Sequence, residues 1–137
     1  MLNRLFNNTS YLEKGLDAAW LRNEVIANNI ANGDTPDFKS SHVEFESTFR
    51  RALYNEKEKD TFVNKQTRDK HISFNEEEDV NISPVVVENS NTTMRMDGNN
   101  VDIEFEQTEL AKNQIYYNLL IQKLNRQFGR IKTAIKD

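Results

Sequence analysis

The chain reads as mainly α. Long N- and C-terminal helices pack as an antiparallel coiled-coil-like hairpin, and an irregular middle segment holds a short helix and a small β-hairpin. Three observations predict this. Apolar residues recur at alternating spacings of four and three in two long runs, one near each end. Strong punctuation bounds both runs: Gly33 and Pro36 after the first, Asp97-Gly98-Asn99-Asn100 before the second. The stretch between them is charged and aperiodic apart from one β-branched run. The expected division is residues 1–39 and 98–137 as one helical domain, with 40–97 as a variable middle segment.

The first helix has a seam of Leu12, Leu16, Ala19, Asn23, Ile26 and Ile30, extended upstream by Leu5. Ser10 with Glu13 reads as a capping box, so the helix is expected from about Ser10 to Asn32, with Leu2, Leu5 and Phe6 as further turns formed against a partner. Gly33 is expected to close it in the left-handed conformation, and Pro36 cannot continue it. Asn28, Asn29 and Asn32 crowd the last turns, although asparagine is a poor helix former. Their amides are expected to bond to neighbouring helices or to the Thr35-Pro36 turn. Next, Ser41 with Glu44 reads as a second capping box, for a short helix over about His42 to Asn55. The alternation of Val43 and Phe45 also allows a strand start. Residues 56–79 are solvated charge runs. Ile82 to Val87 is the best strand candidate, pairing with Thr92 to Met96 through the turn at residues 88–91.

Asn100 is expected to cap the second long helix, which runs from about Val101 to Ile135 and spans roughly 50 Å at 1.5 Å per residue. Asp102, Glu104, Glu106 and Glu109 load its start with negative charge, and Arg126, Arg130, Lys132 and Lys136 load its end with positive charge, both in the sense the helix dipole favours. The seam reads Ile103, Gln107, Leu110, Gln114, Tyr117, Ile121, Leu124, Phe128, Ile131, Ile135. Ile115, Tyr116, Leu119 and Leu120 fall off it. A helix apolar around so much of its circumference wants more than one neighbour, and the chain offers only one other long helix. Other subunits are therefore expected to supply the rest. The residues expected to carry assembly are Leu12, Leu16, Ala19, Ile26 and Ile30 on the first helix, and Leu110, Tyr117, Ile121, Leu124, Phe128 and Ile131 on the second. The chain alone is expected to be only partly folded, with its termini ordering on assembly.

Composition narrows the function classes. A net charge of −4 argues against a nucleic-acid binder, and the absence of cysteine removes disulfide, thiol and Cys-metal chemistry. The N-terminal residues have neither a continuous apolar core nor a small-residue cleavage site, so they do not read as a secretory signal. No apolar run approaches the ~20 residues that span a bilayer. No nucleophile elbow, Gly-rich phosphate loop or HExxH is present. His42 near Glu44 and Glu46 could be drawn as a metal ligand, as could Glu76 to Asp79, but a lone histidine and consecutive acids read as solvated surface. The expected answer is no catalysis, no cofactor, no metal and no small-molecule substrate.

Two blocks carry a resemblance. ANNIANGDTPDFK resembles the ANNIAN-x-x-TPG-[FY]-K motif of bacterial flagellar rod and hook proteins, matching at Ala27, Asn28, Asn29, Ile30, Ala31, Asn32, Thr35, Pro36, Phe38 and Lys39. It departs at Asp37, where that family carries Gly, and Asp37 is therefore expected to have a positive φ or a rearranged turn. The stretch from Asn91 to Ile135 resembles the proximal-rod FlgB family through Asp97-Gly98-Asn99-Asn100-Val101-Asp102, Ala111-Lys112-Asn113 and Tyr117, with His71-Ile72 adding to it. The resemblance implies a structural subunit in the basal body of the flagellum. It would leave through the flagellar type III export apparatus without cleavage and polymerise as the membrane-proximal rod. Its partners would be copies of itself, other rod proteins, the rod-base adaptor and the membrane-ring protein. The same helices would also suit a cytosolic adaptor or export chaperone holding a partner helix, but such a protein has no need of the two motif blocks.

Overall fold

In a computed structural model the structure describes residues 2–59 and 82–136. The elements run α1 (Leu2–Ala31), β1 (Ser41–Glu44), α2 (Glu46–Lys59), β2 (Val85–Glu88) and α3 (Ile103–Lys136). The fold class is the expected one. The chain divides into two compact units, one of residues 1–44 with 84–137 and one of residues 45–83.

In the first unit α1 and α3 lie side by side and antiparallel: Asn29 meets Glu106 near one end, and Ala19 meets Asn113 further along. The seam of α3 differs from the sequence reading. Ile103, Leu110, Tyr117, Ile121, Leu124 and Ile131 are half-buried as expected, but Glu106, Asn113 and Gln127 are covered in place of Gln107, Gln114 and Phe128, each one residue earlier than expected, and Leu120 is half-buried beside Ile121. Gln107 and Gln114 are exposed, and Glu106 and Asn113 are buried in their place. At the first two of these levels both registers put a polar residue, and at the last hydrophobicity favours Phe128, although Phe128 is exposed and Gln127 half-buried. On α1, Asn23 is exposed, while Thr9, Gly15, Ala18, Ala19, Ile26 and Asn29 are buried. The buried apolar side chains of this unit are small and few, namely Ala18, Ala19, Ile26, Val43 and Val101, so polar contacts carry much of its specificity.

Element boundaries also moved. Helix α1 starts at Leu2, so Ser10 is an interior helical residue and not a cap. Ser41 is no cap either. Its N–H and C=O are both taken by the side chain of Asn29, which holds residues 41–44 extended. Strand β2 forms as expected, but its partner is β1 and not Thr92 to Met96, with Ser41 opposite Glu88 and Glu44 opposite Val85 in an antiparallel pair. The backbone of 92–95 is occupied elsewhere: Met94 and Arg95 N–H donate to Asn99 O, and Thr92 O accepts from Lys39 Nζ. The cap of α3 is Asp102, whose Oδ1 accepts from Glu104 N at 3.0 Å and Phe105 N at 3.1 Å.

In the second unit α2 begins four residues later than the expected His42, and Phe45 stacks on Phe49 with ring centroids 5.1 Å apart. The acidic run Glu76 to Asp79, together with His71 and Ile72, lies outside the described residues. No helix among the described residues is long and apolar enough to cross a membrane.

Burial along α3 is uneven. Glu106 and Asn113 are its buried residues, and beyond Asn113 coverage is at most partial. Amide hydrogen exchange on the monomer should therefore show protection that falls from residues 103–114 toward residues 126–135. Uniform strong protection to the end of α3 would show that the terminal turns are held without partners.

Candidate functional site: the junction of the two motif blocks

The two motif blocks meet at one end of the hairpin, where α1 ends and α3 begins. Three buried asparagine side chains join them. Asn29, at 1% exposure, uses its whole amide: Nδ2 donates to Ser41 O at 2.8 Å and to Glu106 Oε1 at 2.9 Å, and Oδ1 accepts from Ser41 N at 3.0 Å. Asn99, at 0% exposure, points Nδ2 at the carbonyls of Asn32, Gly33 and Thr35, 2.8–3.1 Å away. Those are carbonyls at and just past the end of α1, which have no partner within the helix. A residue 66 positions further along the chain thus caps α1, while its Oδ1 accepts from Val101 N at 2.6 Å. Asn100 was expected to cap α3. Instead it ties the β segment down, accepting from Ser40 N at 2.7 Å and donating to Asn89 O at 2.7 Å and Thr92 Oγ1 at 2.9 Å.

The surrounding groups reinforce this. Arg95 donates to Gly33 O at 3.1 Å and pairs with Asp34 and Asp97. Lys39 Nζ donates to Gly98 O at 2.7 Å. Asn32 bonds locally, donating to Asn28 O and accepting from Thr35 Oγ1 as expected for the turn. The turn conformations are partly reversed from expectation. Gly33 is not left-handed; its N–H bonds to Ile30 O in a tightened last turn, and a Cβ there would stand 2.8 Å from Ile103 Cδ1, so the glycine admits the start of α3. Asp37 does have a positive φ, at 59°. Its N–H donates to Asp97 O at 2.9 Å, and it faces Gly98, itself at φ 82°, so closely that a Cβ on Gly98 would overlap the Asp37 carboxylate.

Glu106 is the unusual charge. Burial pushes its carboxyl above the usual carboxylate range; the Asn29 hydrogen bond pulls it back, and the nearby charges of Glu109 and Asp102 add to the rise. His42 and Glu44 are exposed and 3.7 Å apart, and among the described residues no three candidate ligands gather.

The motif splits into two faces. Asn29, Gly33 and Ser40 are buried, with Ile30, Asn32, Phe38 and Lys39 half-buried, whereas Ala27, Asn28, Ala31, Thr35 and Pro36 are exposed. Of the residues expected to carry assembly, Ala19 and Ile26 are buried within the hairpin. Leu12, Leu16, Ile30, Leu110, Tyr117, Ile121, Leu124 and Ile131 are half-buried, and Phe128 is 47% exposed. Asn99, Asp102, Glu106 and Asn113 all stand in stretches the sequence marked, as turn, helix-start charge or motif, but the capping role of Asp102 and the buried hydrogen-bonding roles of the other three were not foreseen. The doubled asparagine after Gly98 was the available signal for the first of them.

Comparison with known proteins follows this geometry. Residues 12–39, which include the whole α1 side of the junction, match the family described as flagella basal body rod protein. The flagellar basal body rod protein FlgB of Bacillus subtilis is 36% identical over 132 residues, covering 96% of this chain and 95% of the relative. FlgB of Borreliella burgdorferi is 36% identical over 136 residues, covering 98% and 100%. FlgB of Proteus mirabilis is 27% identical over 143 residues, covering 100% and 99%.

Two outcomes are expected from the junction. Asn99→Ala strands the Val101 N–H and removes the amide donor shared by the Asn32, Gly33 and Thr35 carbonyls, and should lower the unfolding free energy by about 1–3 kcal/mol in urea titrations, against less than about 0.5 kcal/mol for Asn91→Ala on the exposed turn. Glu106 favours its proton in the folded state, so its stabilising contribution is complete below the ordinary value of 4.5 and is lost as pH rises through the higher folded value. Glu106→Gln keeps an acceptor for Asn29 without the charge. Over that window the wild type should lose stability relative to the variant, and parallel pH profiles would refute the assignment.

Proposed function

The chain belongs to the FlgB family of flagellar basal body rod proteins, and from that premise we propose that it polymerises through its terminal helices into the membrane-proximal section of the rod. Membership makes it a structural subunit of the rod in the basal body of the bacterial flagellum, assembling with other rod components. The finer reading adds neighbours and a route. The subunit contacts copies of itself, the next rod proteins, the rod-base adaptor and the membrane-ring protein, and reaches them through the flagellar type III export apparatus. It passes torque from the membrane ring toward the hook. Residues 1–39 and 98–137 act as the polymerising domain, with 40–97 as the variable middle segment. The alternative, a cytosolic adaptor or export chaperone, is not favoured by any of the relatives named above.

One observation carries this reading: a hairpin locked at one end by the junction, yet whose second helix keeps Ile115, Leu119, Phe128 and Ile135 exposed. Ile115 with Leu119, and Phe128 with Ile135, lie on opposite faces of α3, and large exposed apolar side chains on a well-formed helix mark surfaces that neighbours cover. Different faces of one helix, used against different neighbours, give head-to-tail contacts, and such contacts build tubes when the rotation does not close.

Complementation tests it. Cells lacking the chain should neither swim nor build rods, and the wild-type chain should restore both. Phe128→Asp should fail to restore them while the purified variant keeps its helical circular dichroism, because the side chain is exposed in the monomer. Leu124→Asp should fail too, but with a less stable monomer, since Leu124 is half-buried. Normal swimming with Phe128→Asp would remove the terminal-helix reading.

A further inference from the structure

Beside the seam lies a cleft of about 250 Å³ between α1 and α3, lined by Ala19, Trp20, Asn23, Asn113, Gln114, Tyr117 and Asn118. No lining side chain is charged. Trp20 forms part of its wall and is 63% exposed, an unusual position for the sole tryptophan of the chain. At the cleft Asn113, which is 5% exposed, donates from Nδ2 to Ala19 O at 2.8 Å, but its Oδ1 has no hydrogen-bond partner. An orphaned buried acceptor is costly and uncommon. Asn29, Asn99 and Asn100 each have both ends of the amide satisfied, so Asn113 stands apart within its own fold.

We propose that this cleft is the socket for α3 of a second copy of the chain, which seats Ile115 and Leu119 against Trp20 and Tyr117 and brings the Gln122 amide to Asn113 Oδ1. This rests on the reading of the chain as a rod subunit and names one contact within it. Ile115, Leu119 and Gln122 fall at i, i+4 and i+7, so they form one column, and all three are exposed. The column lies on the far side of α3 from the seam, so socket and column are different surfaces of the same subunit. It matches the cleft in chemistry: two apolar side chains for two aromatic walls, and a neutral donor for a neutral acceptor. Asn113 Oδ1 is sealed from bulk water, so the exposed rim residues Trp20, Asn23, Gln114 and Asn118 change rotamer to admit the donor, as interface side chains commonly do. A contact between two different surfaces leaves each copy with a free socket at one side and a free column at the other. It therefore propagates.

The test uses two variants at exposed positions and the tryptophan as reporter. Leu119→Lys removes the column and keeps the socket; Trp20→Glu blocks the socket and keeps the column. The wild-type chain should associate in sedimentation velocity, with a blue shift of Trp20 emission over the same concentrations. Each variant alone should associate at least about tenfold more weakly, because a charge is forced against an uncharged surface. Mixed together they should form a dimer and nothing larger, and the emission of the Leu119→Lys copy, the only tryptophan in the mixture, should shift to the blue. A wild-type chain that stays monomeric, association without a Trp20 shift, or variants that do not complement each other would each overturn the socket. If the socket fails in this way while cells carrying Leu119→Lys still lack rods, the rod reading stands and only the second copy as occupant is wrong. Rods built without the chain would overturn the rod reading itself.

Discussion

The junction depends on amide side chains buried where apolar ones would ordinarily sit. Asn29, Asn99 and Asn100 reach backbone groups on segments 12, 64–67 and 60 residues away. A carboxamide presents donor and acceptor in fixed geometry, so each one accepts a single arrangement of its surroundings. Leucine in the same places would fill volume but would take away the amide partners of the Val101, Ser40 and Ser41 N–H groups and the donor that gathers the carbonyls at the end of α1. The gain is in uniqueness more than in net energy, since a satisfied hydrogen bond contributes only about 1 kcal/mol while an unsatisfied buried group costs more. A hairpin with a core of alanines and a few larger side chains could slide by a turn; this one cannot without breaking several amide contacts together.

That constraint explains how much of the molecule was legible in its sequence. The two long helices were, because their apolar periods run for many turns, and so was the positive φ at Asp37, from its place in a motif that elsewhere holds glycine. The seam of α3 was legible at Ile103, Leu110, Tyr117, Ile121, Leu124 and Ile131 and misread at Gln107, Gln114 and Phe128. Glu106 and Asn113 are buried for hydrogen bonding, and no hydrophobicity pattern marks a residue buried for that reason. The same cause misplaced the caps. Ser41 with Glu44 has the letters of a capping box, but the Asn29 amide claims both backbone groups of Ser41. Asn100 stood where a cap was expected, but its side chain turns back to Ser40, and Asp102 caps two residues later. The pairing of β2 with β1 across residues 45–84 was likewise invisible, because the nearer partner looked adequate until the DGNN loop was seen to occupy its backbone.

The junction also bears on the function of the subunit. A rod protein has to be stiff where it meets its neighbours yet bury little on its own, because the surface it keeps back is the surface it shares. Here the rigid part is small, polar and at one end, and the large apolar side chains of α3 are kept on the outside. Exposed apolar side chains of this size invite promiscuous association. The cleft suggests how that is limited. It has no charge on its walls and one acceptor waiting, so an apolar patch without a donor leaves Asn113 unsatisfied, and a charged one loses its hydration without compensation. Selectivity of this kind needs only one polar atom in the right place, and in the proposed socket the device that fixes the hairpin internally, a buried amide that accepts one arrangement, would serve between subunits as well.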